Sequence, residues 1–466
     1  MLKKRLSNTN IRHESKQLFK IAGPIWIAQL SQSTMGMVDT IMAGRVSAND
    51  MAAISIGASI WLPLLLFGQG LLLSLPPVIA YLNGSGQRGR IGHQVRQGLW
   101  IALIVSIPLT WLIFNSHLLL NLREMDESLR TIADHYLQAI SVGVVAYLVM
   151  INFRGLNDGM AKTKPAMVIG FIGLLLNVIL NYILIYGKLG LPAFGAVGCG
   201  IATACVNWLM MLMLIVYCIK ASHLRKLALF PRLIERPNWA TLRKLLNLGV
   251  PIALTLCAEV SLFAVVGLLL APLGANVVAS HQITLNTSSF FYMMPLSISM
   301  ATTILVGQRL GEQNLDGAKL VSYLAIALGL LVASLTAIIT FAFRTQIAQI
   351  FVHNQQVIEM ASFLLLFAAA YQLPDSVQAI AGGALRAYKD TKAVLIISLF
   401  SYWVVGMPVG YISALTDWGF PPLGAEGFWI GFVLCLTLAA VLLLIRMRNL
   451  QRIPTQDLLA HLERIK

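Results

Sequence analysis

Twelve stretches of this chain stay apolar for about 20 residues or more, and a stretch of that kind has few ways to fold. They lie near 17–43, 51–82, 94–115, 131–153, 165–187, 195–219, 244–271, 276–308, 318–343, 357–386, 393–415 and 424–446. Hydrocarbon offers no partner for a backbone N–H or C=O, so only a helix or a closed barrel crosses it. At 1.5 Å per residue, about 20 residues span the roughly 30 Å of a bilayer core as helix, twice what a strand needs. The sequence therefore predicts an all-α polytopic membrane protein with 12 transmembrane helices. Composition agrees: 58% of residues are hydrophobic, 11% are charged and the mean hydropathy is +0.77, more apolar than a soluble core accommodates.

A net charge of +15 would suit a nucleic-acid partner, but the basic residues are sorted by loop. Of the 34 Lys and Arg, 29 fall in the N-tail, the even-numbered junctions and the C-tail; the odd-numbered junctions hold only Arg45, Arg123, Arg130, Lys188 and Arg344. By the positive-inside rule both termini are expected in the cytoplasm, with an even number of spans. No basic face is interleaved with aromatic residues, so nucleic acid is not expected as a partner. The basic N-tail imitates a secretory signal, yet the apolar run behind it contains Gln29, Gln32 and Asp39 and is too long for a signal core. It reads as a retained span. Cys199, Cys205, Cys218, Cys257 and Cys435 all fall inside spans without a CxxC pair, so neither a disulfide framework nor a zinc site follows.

The chain is also duplicated. Gly23-Pro24-Ile25 opens span 1 and Val250-Pro251-Ile252 opens span 7, 227 residues later. Gly84 and Gly311 are likewise 227 apart, Gly155 and Gly383 are 228 apart, and the openings Gly195-Ala196-Val197-Gly198 and Gly424-Ala425-Glu426-Gly427 are 229 apart. Six spans begin and end on one side, so the halves are expected as parallel repeats about a central cleft, rocking to give alternating access. The expected division is an N-tail (1–19), an N-lobe (20–219), a cytoplasmic linker (220–243), a C-lobe (244–446) and a C-tail (447–466).

Asp39, Glu259 and Asp375 lie inside these spans, where an ionised carboxyl costs about 3 kcal/mol on insertion scales and by default marks an ion or proton site. Helical rise puts Asp39 about 28 Å from the cytoplasmic end of its span and Asn181 about 26 Å up span 5, with Asn177 one turn below on the same face. Thr203 on span 6 adds a hydroxyl. A carboxylate among amide and hydroxyl oxygens suits a small hard cation or a proton. The plainer alternative is that Asn and Thr bridge packed helices. Glu259 and Asp375 come out near mid-membrane, and Tyr371, i−4 to Asp375, shares its face, with Pro374 between them. Here too a structural hydrogen bond between spans competes. The run SSFFYMMP places Phe290, Tyr292 and Met293 on span 8 as a candidate surface for flat lipophilic cations, although most such residues face lipid or core.

These residues in order, namely the Gly-Pro-Ile opening, MVDTIMAGR around Asp39, CAEV around Glu259, YQLPDSVQ around Asp375 and the paired RGL and GAL loops, resemble the multidrug and toxic compound extrusion family in its bacterial NorM-type branch. The resemblance runs along essentially the whole chain. It implies export of drugs and organic cations from the cytoplasm in exchange for inward sodium or protons, without a cofactor, from the bacterial inner membrane. Asp39, Glu259, Tyr371 and Asp375 match the family's positions, with Glu259, Tyr371 and Asp375 as sodium ligands and Glu259 and Asp375 also facing substrate. Asn181 stands where proton-coupled archaeal relatives carry a second acid, a departure that favours sodium. A monomer is expected.

Two other readings compete. A lipid-linked sugar flippase of related architecture would need a strongly basic cavity, whereas the intramembrane charges read as acids, without intramembrane Lys or Arg. An intramembrane enzyme would need a nucleophile and base at reactive spacing, and the main candidate, His281, has no evident partner in sequence. No GxxxxGK[ST] loop is present to drive ATP-dependent transport.

Overall fold

A computed structural model describes residues 2–121, 126–230, 235–418, 421–454 and 458; Arg123, Pro231 and the end of the C-tail lie outside the described residues. Every expected span is helical, and no strand occurs among the described residues. The helices are α1 (Leu2–Gly44), α2 (Ala48–Gly84), α3 (Arg88–Phe114), α4 (Glu127–Ser141 and Val144–Gly159), α5 (Lys164–Tyr186), α6 (Gly195–Lys220), α7 (Trp239–Leu273), α8 (Ala275–Gly311), α9 (Leu315–Ala342), α10 (Gln355–Ala387), α11 (Thr391–Leu415) and α12 (Ala425–Leu450). Ten are long and apolar enough to cross a membrane, eleven when the two α4 segments, bent by 43°, form one span. The expected count of twelve spans is not confirmed by that measure among the described residues. Helix α1 falls short because Gln29, Ser31, Gln32, Ser33, Thr34 and Asp39 interrupt its apolar run.

Several boundaries follow from the local sequence. Side-chain oxygens that accept the orphan N–H groups of a first turn cap α2 (Ser47 to Asp50 N, 3.0 Å), α9 (Asn314 to Gly317 N, 2.8 Å) and α10 (Asn354 to Gln356 N, 3.0 Å). Gly187, at φ +64°, ends α5 in the left-handed conformation that glycine adopts without strain.

The chain divides into two compact units, Pro24–Ala253 and Met1–Gly23 with Leu254–Lys466. Both crossings fall inside continuous helices beside the repeat-related Pro24 and Pro251. This differs from the boundaries expected from sequence: the segment before α7 joins the N-terminal unit, and the start of α1 joins the C-terminal one. Hydrogen bonds supply the reason. Glu235 accepts from His93 and Arg96, and its carbonyl accepts from Trp100 Nε1 at 2.9 Å. Gln97 then brackets the next residues, donating to the Arg236 carbonyl at 3.1 Å and accepting from Asn238 N at 2.7 Å. On α1, Glu14 pairs with Arg309 of α8 at 2.7 Å, and Leu18 is fully buried.

Within the C-terminal unit, α11 and α12 approach at glycines. A Cβ on Gly427 would lie 2.5 Å from the Ala414 nitrogen, and one on Gly431 2.8 Å from the Gly406 carbonyl. Small residues are how membrane helices gain close contact, since lipid supplies no hydrophobic drive between them.

Candidate functional site

Each unit buries a carboxylate among polar side chains. In the N-terminal unit, Asp39 on α1 is buried, and Asn177 and Asn181, one turn apart on α5, are fully so. Both amides donate to Asp39 Oδ1, at 3.0 and 2.6 Å, and the Thr203 hydroxyl on α6 donates to Oδ2 at 3.2 Å. Cys199, one turn before Thr203, also hydrogen-bonds to this carboxyl. The α5 amides and the α6 hydroxyl converge because these helices pack closely: a Cβ on Gly198 would sit 2.7 Å from the Leu184 carbonyl oxygen.

Charge-assisted hydrogen bonds contribute about 1.5–3 kcal/mol each, while burying an isolated carboxylate costs several kcal/mol even after relaxation. The donors offset part of that cost. Asn181 Oδ1 stays buried and unpartnered beside it, an open acceptor next to a buried carboxyl. The four residues singled out in sequence, Asp39, Asn177, Asn181 and Thr203, are therefore together. Cys199 was missed, although its i−4 spacing from Thr203 put it on the same face.

The C-terminal unit gathers Glu259 of α7, Tyr292 of α8, and Tyr371 and Asp375 of α10. Tyr371 hydrogen-bonds to Asp375, which is 2% exposed and has its Oδ1 unpartnered. Glu259, half-buried, lies within electrostatic reach of Asp375, Tyr292 and Tyr371. Tyr402 joins them from a π-helical segment of α11, Phe400–Gly406, and accepts from Gln378 Nε2 at 2.9 Å. Such π turns often occur at functional sites because the wider turn re-aims a side chain. Trp403 Nε1 donates to the Ala258 carbonyl at 3.2 Å, tying this segment to α7 beside Glu259.

The SSFFYMMP run does not act as one surface. Phe290 is 50% exposed and meets Phe291 edge-on at 5.7 Å, whereas Tyr292, about 200° further round the helix, faces the acids. Met293 is half-buried, without a contact that assigns it a role.

Basic residues, two arginines among them, also enter the interior, correcting the expectation of none. Arg386 of α10 donates to Ser299 Oγ at 2.9 Å and lies within electrostatic reach of Glu259. Arg154 of α4 is buried, 3.5 Å from Asp158, and lines a small pocket of about 20 Å3 together with Gln32, Met150 and Met210. Each arginine thus faces a carboxylate. His281 has a partner as well, since its Nδ1 accepts from Trp429 Nε1 at 3.2 Å.

Ten or eleven apolar helices and no strand among the described residues, in a duplicated chain with a buried carboxylate cluster in each half, define a membrane transporter rather than an enzyme. The chain belongs to the MatE family, whose pattern matches residues 24–183 and again 251–412, the two matches beginning at the repeat-related prolines. It is 62% identical over 453 residues to the probable multidrug resistance protein NorM of Pasteurella multocida, covering 97% of this chain and 98% of that one. It is 50% identical over 447 residues to the multidrug resistance protein MdtK of Yersinia pseudotuberculosis, covering 96% and 98%. The fold matches the eukaryotic MATE transporter AtDTX14 (TM-score 0.89, 20% identity, 98% and 100% covered). It also matches a MOP superfamily transporter from Pyrococcus furiosus (TM-score 0.85, 20% identity, 94% and 95% covered).

Proposed function

We propose that this protein is a multidrug efflux antiporter of the bacterial inner membrane, exporting lipophilic cationic or zwitterionic compounds in exchange for inward sodium or protons. Both termini are cytoplasmic in this reading, and the protein acts as a monomer. The observation that carries it is the pair of buried carboxylates with unfilled acceptor oxygens beside them, Asn181 Oδ1 next to Asp39 and Oδ1 of Asp375 itself. Kinship with two multidrug resistance proteins supports drugs as the exported compounds.

The chemistry of exchange follows from charge. Glu259 and Asp375 carry two negative charges and Arg386 returns one positive, which leaves a single charge to neutralise. One monovalent cation completes the C-terminal site, whether sodium, a proton or the cationic group of a drug. Occupants that satisfy the same charge exclude one another, and mutual exclusion is what an antiporter needs. Asp39 with Asn177, Asn181 and Thr203 forms the second cation site. One inward cation exchanged for one outward monovalent drug cation would leave the membrane potential, about 2.3 kcal/mol per 100 mV, unused. Two sites allow a second inward charge to draw on it. The flippase alternative loses ground because the interior arginines each face an acid, so the interior is not basic on balance.

The test is dye efflux from proteoliposomes under an imposed inward sodium or proton gradient. Glu259→Gln and Asp375→Asn should each abolish cation-stimulated efflux with the protein still folded, because the isosteres keep packing and lose charge. Near-normal stimulated efflux in both variants would remove the C-terminal site from the mechanism.

A further inference from the structure

The interior of the C-terminal unit contains a histidine that neither packing nor stability explains. His281, on α8, is 2% exposed and its ring stands edge-on to Trp429 of α12 with centroids 6.0 Å apart. The indole N–H donates to His281 Nδ1 at 3.2 Å. An imidazole that accepts at Nδ1 carries its proton at Nε2, and that second nitrogen is buried without a partner. A stranded donor offsets about what the made bond contributes, so two apolar rings in this place would be as stable. The pair supplies direction instead.

Trp429 is fully buried and held on three sides. It meets Phe432 at 5.5 Å and Tyr371 at 5.8 Å, both edge-on, while His281 fixes its nitrogen. Phe432 is itself braced by Phe263 of α7 at 5.0 Å. Tyr371 is the residue whose hydroxyl meets Asp375. Edge-to-face contacts prefer particular ring angles, and the hydrogen bond at Nε1 adds a directional restraint on the polar edge of the indole. We propose that His281 is a positioning residue for the C-terminal cation site: by accepting the Trp429 N–H it fixes the indole wall against which Tyr371 presents its hydroxyl to Asp375. The inference rests on the reading of Glu259, Tyr371 and Asp375 as a coupling site.

The experiment measures dye efflux from proteoliposomes against the concentration of the coupling cation, giving a half-maximal concentration and a maximal rate. His281→Leu removes the acceptor, Trp429→Phe removes the donor but keeps a ring, and His281→Gln keeps an acceptor. His281→Leu and Trp429→Phe should each raise the half-maximal concentration about fivefold, the size of one lost hydrogen bond, with the maximal rate within about twofold of wild type. The double variant should be no worse than either single one, and His281→Gln should return to within about twofold of wild type. An unchanged half-maximal concentration in both single variants overturns the proposal, as does a Gln variant no better than Leu. Should His281→Leu fail to fold, Trp429→Phe and His281→Gln decide the matter by the same criteria. Asp375→Asn is measured alongside: if it keeps cation-stimulated efflux, the coupling site itself is wrong. If it loses efflux while His281→Leu and Trp429→Phe behave as wild type, only the role of His281 falls.

Discussion

Asn181 donates its side-chain amide to Asp39 at 2.6 Å across 142 residues of sequence, from α5 to α1. Asn177, a turn earlier, reaches the same oxygen at 3.0 Å. A single carboxyl oxygen therefore ties the two helices together inside the N-terminal unit, and any change in its charge acts on both.

Neutralising Asp39 should separate binding from turnover. In the Asp39→Asn variant the amide cannot accept at both oxygens as the carboxylate does, so cation entry into this cluster is lost while drug sites elsewhere keep their shape. We expect retained equilibrium dye binding in detergent and blocked transport in vesicles. Transport with an unchanged ion requirement would take Asp39 out of the mechanism.

Removing one donor should be felt as stability. Asn181→Leu leaves Asp39 with one fewer charge-assisted bond, a loss of about 1.5–3 kcal/mol while the carboxyl is ionised. Thermal unfolding followed by size-exclusion chromatography should show a lower midpoint, recovered when Asp39→Asn is added. A double variant as unstable as Asn181→Leu alone would mean that the leucine, rather than the lost bond, causes the damage.

Glu259 should read the charge of the substrate. A partly desolvated carboxylate stabilises a cation and repels an anion, while apolar walls contribute in proportion to buried area whatever the charge. Glu259→Gln is expected to weaken binding of a cationic dye about tenfold more than binding of a matched neutral dye, the ratio given by about 1.4 kcal/mol of lost charge pairing. Equal losses in competition binding would mean that Glu259 shapes the pocket without reading charge.

The Glu235 carboxyl, held by His93 and Arg96, gives a pH dependence with a definite sign. Partial burial would raise this carboxyl, but hydrogen bonds from Arg96 and His93, with their charges, hold it below the ordinary carboxylate range. A lowered native value contributes stability above the unfolded value, about 4.3, which fades as pH falls through the native one. The melting difference between wild type and Glu235→Gln should thus be largest above about pH 5 and shrink below about pH 4. A difference that grows on acidification would contradict the assignment.

Much of this arrangement was legible in sequence because membrane helices are simple to measure. Length set the spans, the rise per residue matched the heights of Asp39 and Asn181, and the i, i+4 rule put Asn177 and Asn181 on one face. What escaped depends on side chains that travel. Arg154 and Arg386 read as loop anchors, yet a long guanidinium near a helix end folds back into the interior when an acid such as Asp158 or Glu259 awaits it. Tyr402 escaped because helical counting assumes 100° per residue, and the π turn at Phe400–Gly406 breaks that count. The Trp429–His281 bond joins residues 148 apart, and no local spacing encodes it. Prolines and charges mark 220–243 as a linker, but they do not encode that Trp100, Gln97 and Arg96 bind its backbone and its acid.

The central claim, that drug efflux is driven by inward cations held at these carboxylates, is tested most directly in proteoliposomes containing the purified protein alone, without ATP. A cationic dye is placed at equal concentration on both sides and an inward sodium or proton gradient is imposed. The account predicts that dye moves against its own gradient until the cation gradient is dissipated by an ionophore, and that the triple variant Asp39→Asn, Glu259→Gln, Asp375→Asn moves none. Uphill dye movement without any cation gradient, or undiminished movement by the triple variant, would contradict it.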